Sequence, residues 1–130
     1  MSTVVSIIEQ YNTERPNSVE DYMKVDFLKK LEQMIINTVI KTHMGAPEDD
    51  ELEEHIESFG YNTELIVGEP YDDLYFHYLD QRIAFNNNDT KRYNLASTMF
   101  NNAMLVYQQY YNREHMGIKP NGHLIRHEVL

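Results

Sequence analysis

The sequence of 130 residues predicts an all-α protein: a small helical bundle built on a long antiparallel helical hairpin, followed by an extended C-terminal tail. Apolar residues recur at intervals of three and four over two long segments, which is the period of an amphipathic helix. A short turn, Asn86-Asn87-Asn88-Asp89, joins two such segments, and a short turn forces neighbouring helices to run antiparallel. We expect residues 1–117 to form one helical domain and residues 118–130 to form the tail.

Two helices are predicted before the hairpin. Residues 3–12 form a short helix that must dock on the rest of the chain, because it is too short to be stable alone. After a loop at Asn12–Asn17, a core helix capped by Ser18 or Asp21 runs to about His43. Its apolar residues have helical spacing: Met23, Phe27, Leu28, Leu31, Met34, Ile35, Val39 and Ile40. Its other face is predicted to be polar, with Lys24, Lys29, Lys30, Glu32, Gln33 and Asn37.

The next segment, residues 46–60, is acidic and forms either a short surface helix or a loop. It holds seven acids and no Lys or Arg: Glu48, Asp49, Asp50, Glu51, Glu53, Glu54 and Glu57. A thin apolar edge of Leu52, Ile56 and Phe59 allows weak docking. Two interpretations stay open for the acids: a solvated charged segment, or an electrostatic surface that lines a DNA passage or faces a basic partner. Residues 61–67 are predicted to be extended.

The hairpin is predicted to begin at Gly68-Glu69-Pro70, with Pro70 at the first helical position, where its missing N–H costs nothing. The apolar band of its first helix consists of Leu74, Tyr75, Tyr78, Leu79, Ala84 and Phe85. Asp89 is predicted to cap the second helix. The stripe of that helix consists of Tyr93, Ala96, Phe100, Ala103, Tyr107 and Tyr110, widened by Met99 and Val106. We interpret both as bundle core, while one of the adjacent Tyr110 and Tyr111 should face solvent or a partner.

The tail follows a turn signal at Pro120-Asn121-Gly122. Its apolar and charged residues alternate, so it is expected either to fray, or to pair as a strand, or to pack on a neighbouring subunit or other partner. The docking residues would be Ile118, Leu124, Ile125, Arg126, His127, Val129 and Leu130.

No motif in the sequence predicts an enzyme, a cofactor or a metal. There is no phosphate-binding loop, dinucleotide fingerprint or nucleophile elbow, and the chain has no cysteine. His123 and His127 stand four residues apart, but Leu124 occupies the position where the metalloprotease pattern needs its general base. Asp72, Asp73 and Asp80 are interpreted as capping and solvated carboxylates.

Charge and hydropathy bound the partners. The net charge is -10, and an acidic chain without a basic patch is not expected to bind nucleic acid through its phosphates. No segment has the roughly 20 apolar residues that a membrane span needs, and the N-terminus lacks the pattern of a signal peptide. We therefore expect a protein that is made in the cytoplasm and has no membrane partner.

The order of motifs resembles a known family, the small helical head–tail connector proteins (adaptor or head completion proteins) of tailed bacteriophages that infect Gram-positive hosts. The resemblance covers about Val4 to Met116 and excludes the acidic segment and the tail. It rests on these residues: Arg15-Pro16-Asn17, Leu28, Leu31, Glu32, Glu64-Leu65-Ile66-Val67, Glu69-Pro70-Tyr71-Asp72-Asp73-Leu74-Tyr75, Tyr78-Leu79, Asn86–Asp89, Arg92-Tyr93-Asn94, Met99-Phe100-Asn101, Ala103 and Tyr107–Tyr111.

The resemblance implies a structural virion protein at the head–tail interface. Such adaptors form a ring, commonly of twelve copies, beneath the portal protein, extend the DNA channel, and carry the downstream tail or stopper protein. Genomic DNA would pass through without specific binding, and the tail, 118–130, would dock on the portal. The alternative from a different class is a small acidic protein that mimics DNA or inhibits a host nucleic-acid-binding protein.

Overall fold

The computed structural model describes residues 2–115, 117–118 and 124–125. The protein is all-α, as predicted. The helices within these residues are α1 (Val4–Glu14), α2 (Asp21–Thr38), α3 (Asp49–Glu57), α4 (Asp73–Asn86) and α5 (Thr90–Glu114), with a 3-10 turn at Ile40–Thr42. Two antiparallel two-residue strands, β1 (Gly117–Ile118) and β2 (Leu124–Ile125), follow α5.

The predicted hairpin consists of α4 and α5, which pack along each other. Asn88 adopts a left-handed conformation with φ of 57°, which asparagine tolerates better than most residues. Asp89 caps α5, because its Oδ1 accepts a hydrogen bond from the Arg92 N–H at 3.1 Å. With 25 residues, α5 is about 37 Å long. The turn and its cap are therefore confirmed.

The start of the hairpin was predicted wrongly. Pro70 does not open α4, which begins at Asp73. The preceding residues form a separate turn, in which the Tyr71 N–H donates to the Gly68 carbonyl at 3.0 Å, and the Glu69–Pro70 peptide bond is cis. The turn brings the Tyr71 ring onto that of Tyr110, with centroids 4.5 Å apart. The chain thus packs against α5 before α4 begins.

A single core joins the helices. α4 packs against α1, α2 and α5, and α3 packs against α2. The docking of α1 is confirmed, since one of its faces is buried, and the segment 61–67 holds its first residues through backbone hydrogen bonds from Val4 to Thr63 and from Val5 to Tyr61. The largest buried side chains are Tyr11, Tyr75, Lys24, Ile8, Leu28, Leu31, Ile35, Leu74, Leu79, Glu32, Val4 and Val39.

The residues that α4 and α5 bury differ in part from the predicted hairpin core. Leu74, Ala96, Phe100 and Tyr107 are buried, and Tyr78, Tyr93, Ala103 and Tyr110 are half-buried. Phe85, Met99 and Val106, which were assigned to the core, are exposed, as is Met34 of α2. Met104 and Tyr111 are buried instead. The buried line of α5 runs through residues 96, 100, 104, 107 and 111 rather than through the wider predicted band. α4, with 14 residues, packs beside the first part of this line, and beyond it Tyr71 and His43 contact Tyr107 and Tyr111.

Candidate assembly interface

The side of α5 that faces solvent carries an apolar line of its own. Leu95, Met99 and Val106 are 64%, 44% and 51% exposed. Together with the exposed Asn102 they are spaced four, three and four residues apart, which places them along one line of the helix. We call Leu95, Met99, Asn102 and Val106 the outer stripe. A helix with apolar lines on two sides is typical of one that packs on two sides.

The central part of the same helix lacks charge. No charged residue occurs from Tyr93 to Asn112, although a quarter of the whole chain is charged. The exposed polar residues of this stretch are amides and hydroxyls, such as Asn94, Thr98 and Asn101. Depletion of charge marks the centre of protein–protein interfaces. The uncharged run is a sequence signal for an exposed interface face. The prediction instead assigned Met99 and Val106 of this face to the core.

The acidic segment is a helix rather than a loop. Leu52 of α3 is buried, while Ile56 of α3 and Phe59 just after it are half-buried and pack against the core. The seven predicted carboxylates (Glu48, Asp49, Asp50, Glu51, Glu53, Glu54 and Glu57) are all exposed. Three of them lie in the first turn, where they oppose the positive end of the helix dipole. The helix therefore presents a concentrated negative surface and docks through its thin apolar edge.

A buried carboxylate holds α3 in place. Glu32, predicted to lie on the polar face of α2, is instead fully buried. It accepts hydrogen bonds from the Tyr75 hydroxyl and from the Ile66 N–H at 3.1 Å, and it contacts the His55 Nε2 of α3 at 2.6 Å. Burial, together with the neighbouring Glu32, raises the pKa of the Tyr75 hydroxyl well above its ordinary value. The cluster joins four segments of the chain.

Lys24 was also assigned to the polar face of α2 and is also buried. Its Nζ donates to the Asn12 Oδ1 at 2.6 Å and to the Val19 carbonyl at 3.0 Å, and it pairs with Asp21 at 3.3 Å. The ammonium group therefore organises the loop between α1 and α2. Helical spacing could not reveal either buried charge, because Asn12 and Val19 lie outside α2 and the partners of Glu32 come from other segments of the chain.

Asp80 is also a buried carboxylate and forms a cluster with a tyrosine and two arginines. The interpretation of Asp80 as a solvated carboxylate is wrong. Asp80 accepts a hydrogen bond from the Tyr11 hydroxyl at 3.1 Å, and Nε atoms of Arg92 and Arg15 lie 3.3 Å and 3.7 Å from its Oδ1. Burial and the carboxylate of Asp80 raise the pKa of Tyr11 far above its usual range. A cleft of about 470 Å³ opens beside the cluster. At the edge of this cleft, Asp80 is paired with both arginines.

Aromatic rings cluster where α5 ends. Tyr107 contacts Tyr71, Tyr110 and Tyr111, with ring centroids 6.3, 6.4 and 5.9 Å apart. Tyr111 is buried and Tyr110 is half-buried. Burial raises the pKa of Tyr107 far above its usual range. The rings therefore close this end of the core.

In the tail, the structure describes the backbone of residues 117–118 and 124–125. Ile118 pairs with Leu124, and Gly117 pairs with Ile125, so these four residues pair as strands with each other. The proposed docking residues Arg126, His127, Val129 and Leu130, and also His123, lie outside the described residues.

The described part of the chain contains no group of three or more His, Cys, Asp or Glu side chains that could hold a metal ion. Among the described helices, none combines the length and apolarity needed to cross a membrane. No family model, curated protein or solved structure matches the sequence significantly.

Proposed function

We propose that this protein is a structural virion protein, a head–tail connector that assembles as a ring beneath the portal, extends the DNA channel and carries the tail or stopper protein. One observation carries the proposal: the longest helix exposes an uncharged face with an apolar outer stripe. A protein that works alone gains nothing from such a face, whereas an assembly subunit needs one. The resemblance of residues 4–116 to phage adaptors supplies the kind of assembly.

The acidic helix fits this role as a channel surface. Seven exposed carboxylates on each subunit would surround the passage with negative charge. Genomic DNA would then slide through without binding, because like charges repel and no counterions are released. A ring structure in which α3 lies outside the channel would contradict this part of the proposal.

The alternative function, a DNA mimic, has less support from the charge distribution. The acids are concentrated on α3, and a helix of nine residues spans only about 13 Å. A duplex presents phosphates over a much longer line. A mimic would compete with DNA for a basic protein, with strong salt dependence, and an adaptor would not.

The test is to mix the purified protein with the portal ring from the same genome and to image the particles by electron microscopy. We expect a ring of added density beneath the portal. A variant that lacks residues 118–130 should lose this density if the tail is the docking element. Portal rings without added density at a saturating concentration of the full chain would overturn the proposed function.

A further inference from the structure

A ring requires two different surfaces on each subunit, so the outer stripe of α5 needs a complementary surface on the next copy. α2 carries a suitable one. Met34 is exposed, and Met23 and Phe27 are only half-buried on the same side of the helix. With Lys30, these residues have the spacing four, three, four. We call Met23, Phe27, Lys30 and Met34 the α2 edge.

The outer stripe and the α2 edge match position by position. When the two helices run parallel, the apolar pairs are Met23 with Leu95, Phe27 with Met99, and Met34 with Val106. Lines of this spacing pack side by side in helix pairs that cross at a shallow angle. Each line spans 11 residues, or about 16 Å. The contact therefore covers the same length on both helices.

The polar position of each line is compatible as well. Lys30 falls opposite Asn102, whose amide oxygen can accept a hydrogen bond from the ammonium group. On its own helix, Lys30 pairs with Asp26 at 3.2 Å. The outer stripe contains no carboxylate, so two copies of this acidic protein can meet here without setting acids against acids. A contact between the α3 helices of two copies would instead bring their exposed carboxylates together.

We propose that the outer stripe of α5 packs against the α2 edge of a second copy of this chain, and that this contact joins neighbouring subunits of the ring. The ring as the final assembly rests on the proposed function, whereas the contact between two copies does not. Because the two lines belong to different helices, the contact is heterologous and can be repeated from copy to copy. A pair of outer stripes would instead form a closed dimer.

Disulfide trapping tests the contact directly, because the chain has no cysteine. A disulfide requires Cβ atoms about 4 Å apart. Met34→Cys and Val106→Cys variants, mixed under mild oxidation with and without the portal ring, should form a covalent dimer, while neither variant alone should. The double variant should form a ladder of higher oligomers. Leu105→Cys is the matched control: Leu105 is 53% exposed on the same helix but off the stripe, and it should not link to Met34→Cys.

Charge substitution supplies an independent measurement. Leu95→Lys combined with Val106→Lys should weaken self-association by about tenfold or more, because the substitutions place two charges in a desolvated contact. Leu105→Lys should leave self-association unchanged. Both proteins should keep their helical circular dichroism, since all three positions are exposed.

The outcomes separate this inference from the proposed function. Cross-linking without portal binding would support the subunit contact and remove the connector assignment. Added density beneath the portal without the Met34–Val106 link, or with the doubly substituted protein at full occupancy, would overturn the contact and leave the connector. A Val106→Cys homodimer would show that the outer stripes face each other and would also overturn it. Absence of any cross-link in both conditions overturns the contact.

Discussion

The two buried carboxylates of the bundle, Glu32 and Asp80, are stabilised in different ways. Glu32 is 0% exposed, and the groups that contact it are a tyrosine hydroxyl, a backbone N–H and a histidine ring. Asp80 is contacted by a tyrosine hydroxyl and by two arginines, Arg15 and Arg92, whose side chains are 46% and 39% exposed.

The difference decides what each cluster contributes. The Tyr75 hydroxyl that contacts Glu32 lies in the core and would lose its hydrogen bond without gaining water, which is costly. The arginines of Asp80 reach in from the surface, so water can solvate them when the carboxylate is removed. Glu32 therefore acts as a structural centre for α2, α3 and α4, and Asp80 as a more replaceable link between α1 and the hairpin. Four substitutions test this contrast.

The largest effect is expected for Glu32→Ala. The change leaves the Tyr75 hydroxyl and the Ile66 N–H without their acceptor and opens a space in the core. We expect the free energy of unfolding to fall by about 3 kcal/mol or more, measured by urea denaturation. Glu53→Ala, on the exposed side of α3, should change it by less than about 0.5 kcal/mol. Equal effects of the two substitutions would contradict the structural role of Glu32.

The next effect is expected for Tyr75→Phe. The hydroxyl donates to Glu32 and accepts from the Val67 N–H at 3.0 Å. Its removal should cost about 2 kcal/mol, again by urea denaturation. Tyr78→Phe is the control, because the half-buried Tyr78 ring packs against Phe100 and Glu32 is not involved. If both variants were equally stable, the Tyr75 hydroxyl would not be what anchors Glu32.

A smaller effect is expected for Asp80→Asn. The amide oxygen can still accept from Tyr11, and only the ionic attraction to Arg15 and Arg92 is lost. We expect a cost of about 1 kcal/mol, which should shrink in high salt because the arginines are partly exposed. A loss as large as that of Glu32→Ala would show that the two carboxylates are not different in kind.

The smallest effect concerns His77. Burial lowers the pKa of His77, while the carboxylates of Asp73 and Asp80 partly oppose the shift. The unfolded chain therefore binds this proton at a higher pH than the folded chain, so stability should fall as the pH drops through about 6.5. His77→Gln should remove this portion of the pH dependence, and Asp80→Asn should increase it. A pH profile that is identical for all three proteins would contradict the shift.

Sequence spacing predicted the elements better than their faces. The Asn86–Asp89 turn, the cap by Asp89 and the existence of both hairpin helices followed from local chemistry. The buried and exposed sides of α5 did not, because Met99 and Val106 are as apolar as the residues that are buried. Only the packing of α4 and of the segments around Tyr71 and His43 decides which of the two apolar lines is inside.

The buried charges were unpredictable for a related reason. Lys24 and Glu32 lie at positions whose residue types favour solvent. Their burial depends on acceptors and donors from Asn12, Ile66 and Tyr75, which are distant in sequence. The acidic surface was predictable down to its residues, since seven acids within ten residues cannot be buried together. The contact between His55 and Glu32 that holds α3 in place was not predictable.

The way in which α3 is attached to the bundle has a consequence for hydrogen exchange. α3 is held to the bundle by the buried Leu52, by the half-buried Ile56 and Phe59, and by the contact between His55 and Glu32. Its backbone amides should therefore open and exchange with solvent before those of α4 and the buried side of α5, whose opening requires the core to separate. Seven of the 21 acidic residues thus lie on a segment that we expect to open early. They can be repositioned at the free-energy cost of local opening alone, while the rest of the bundle stays folded.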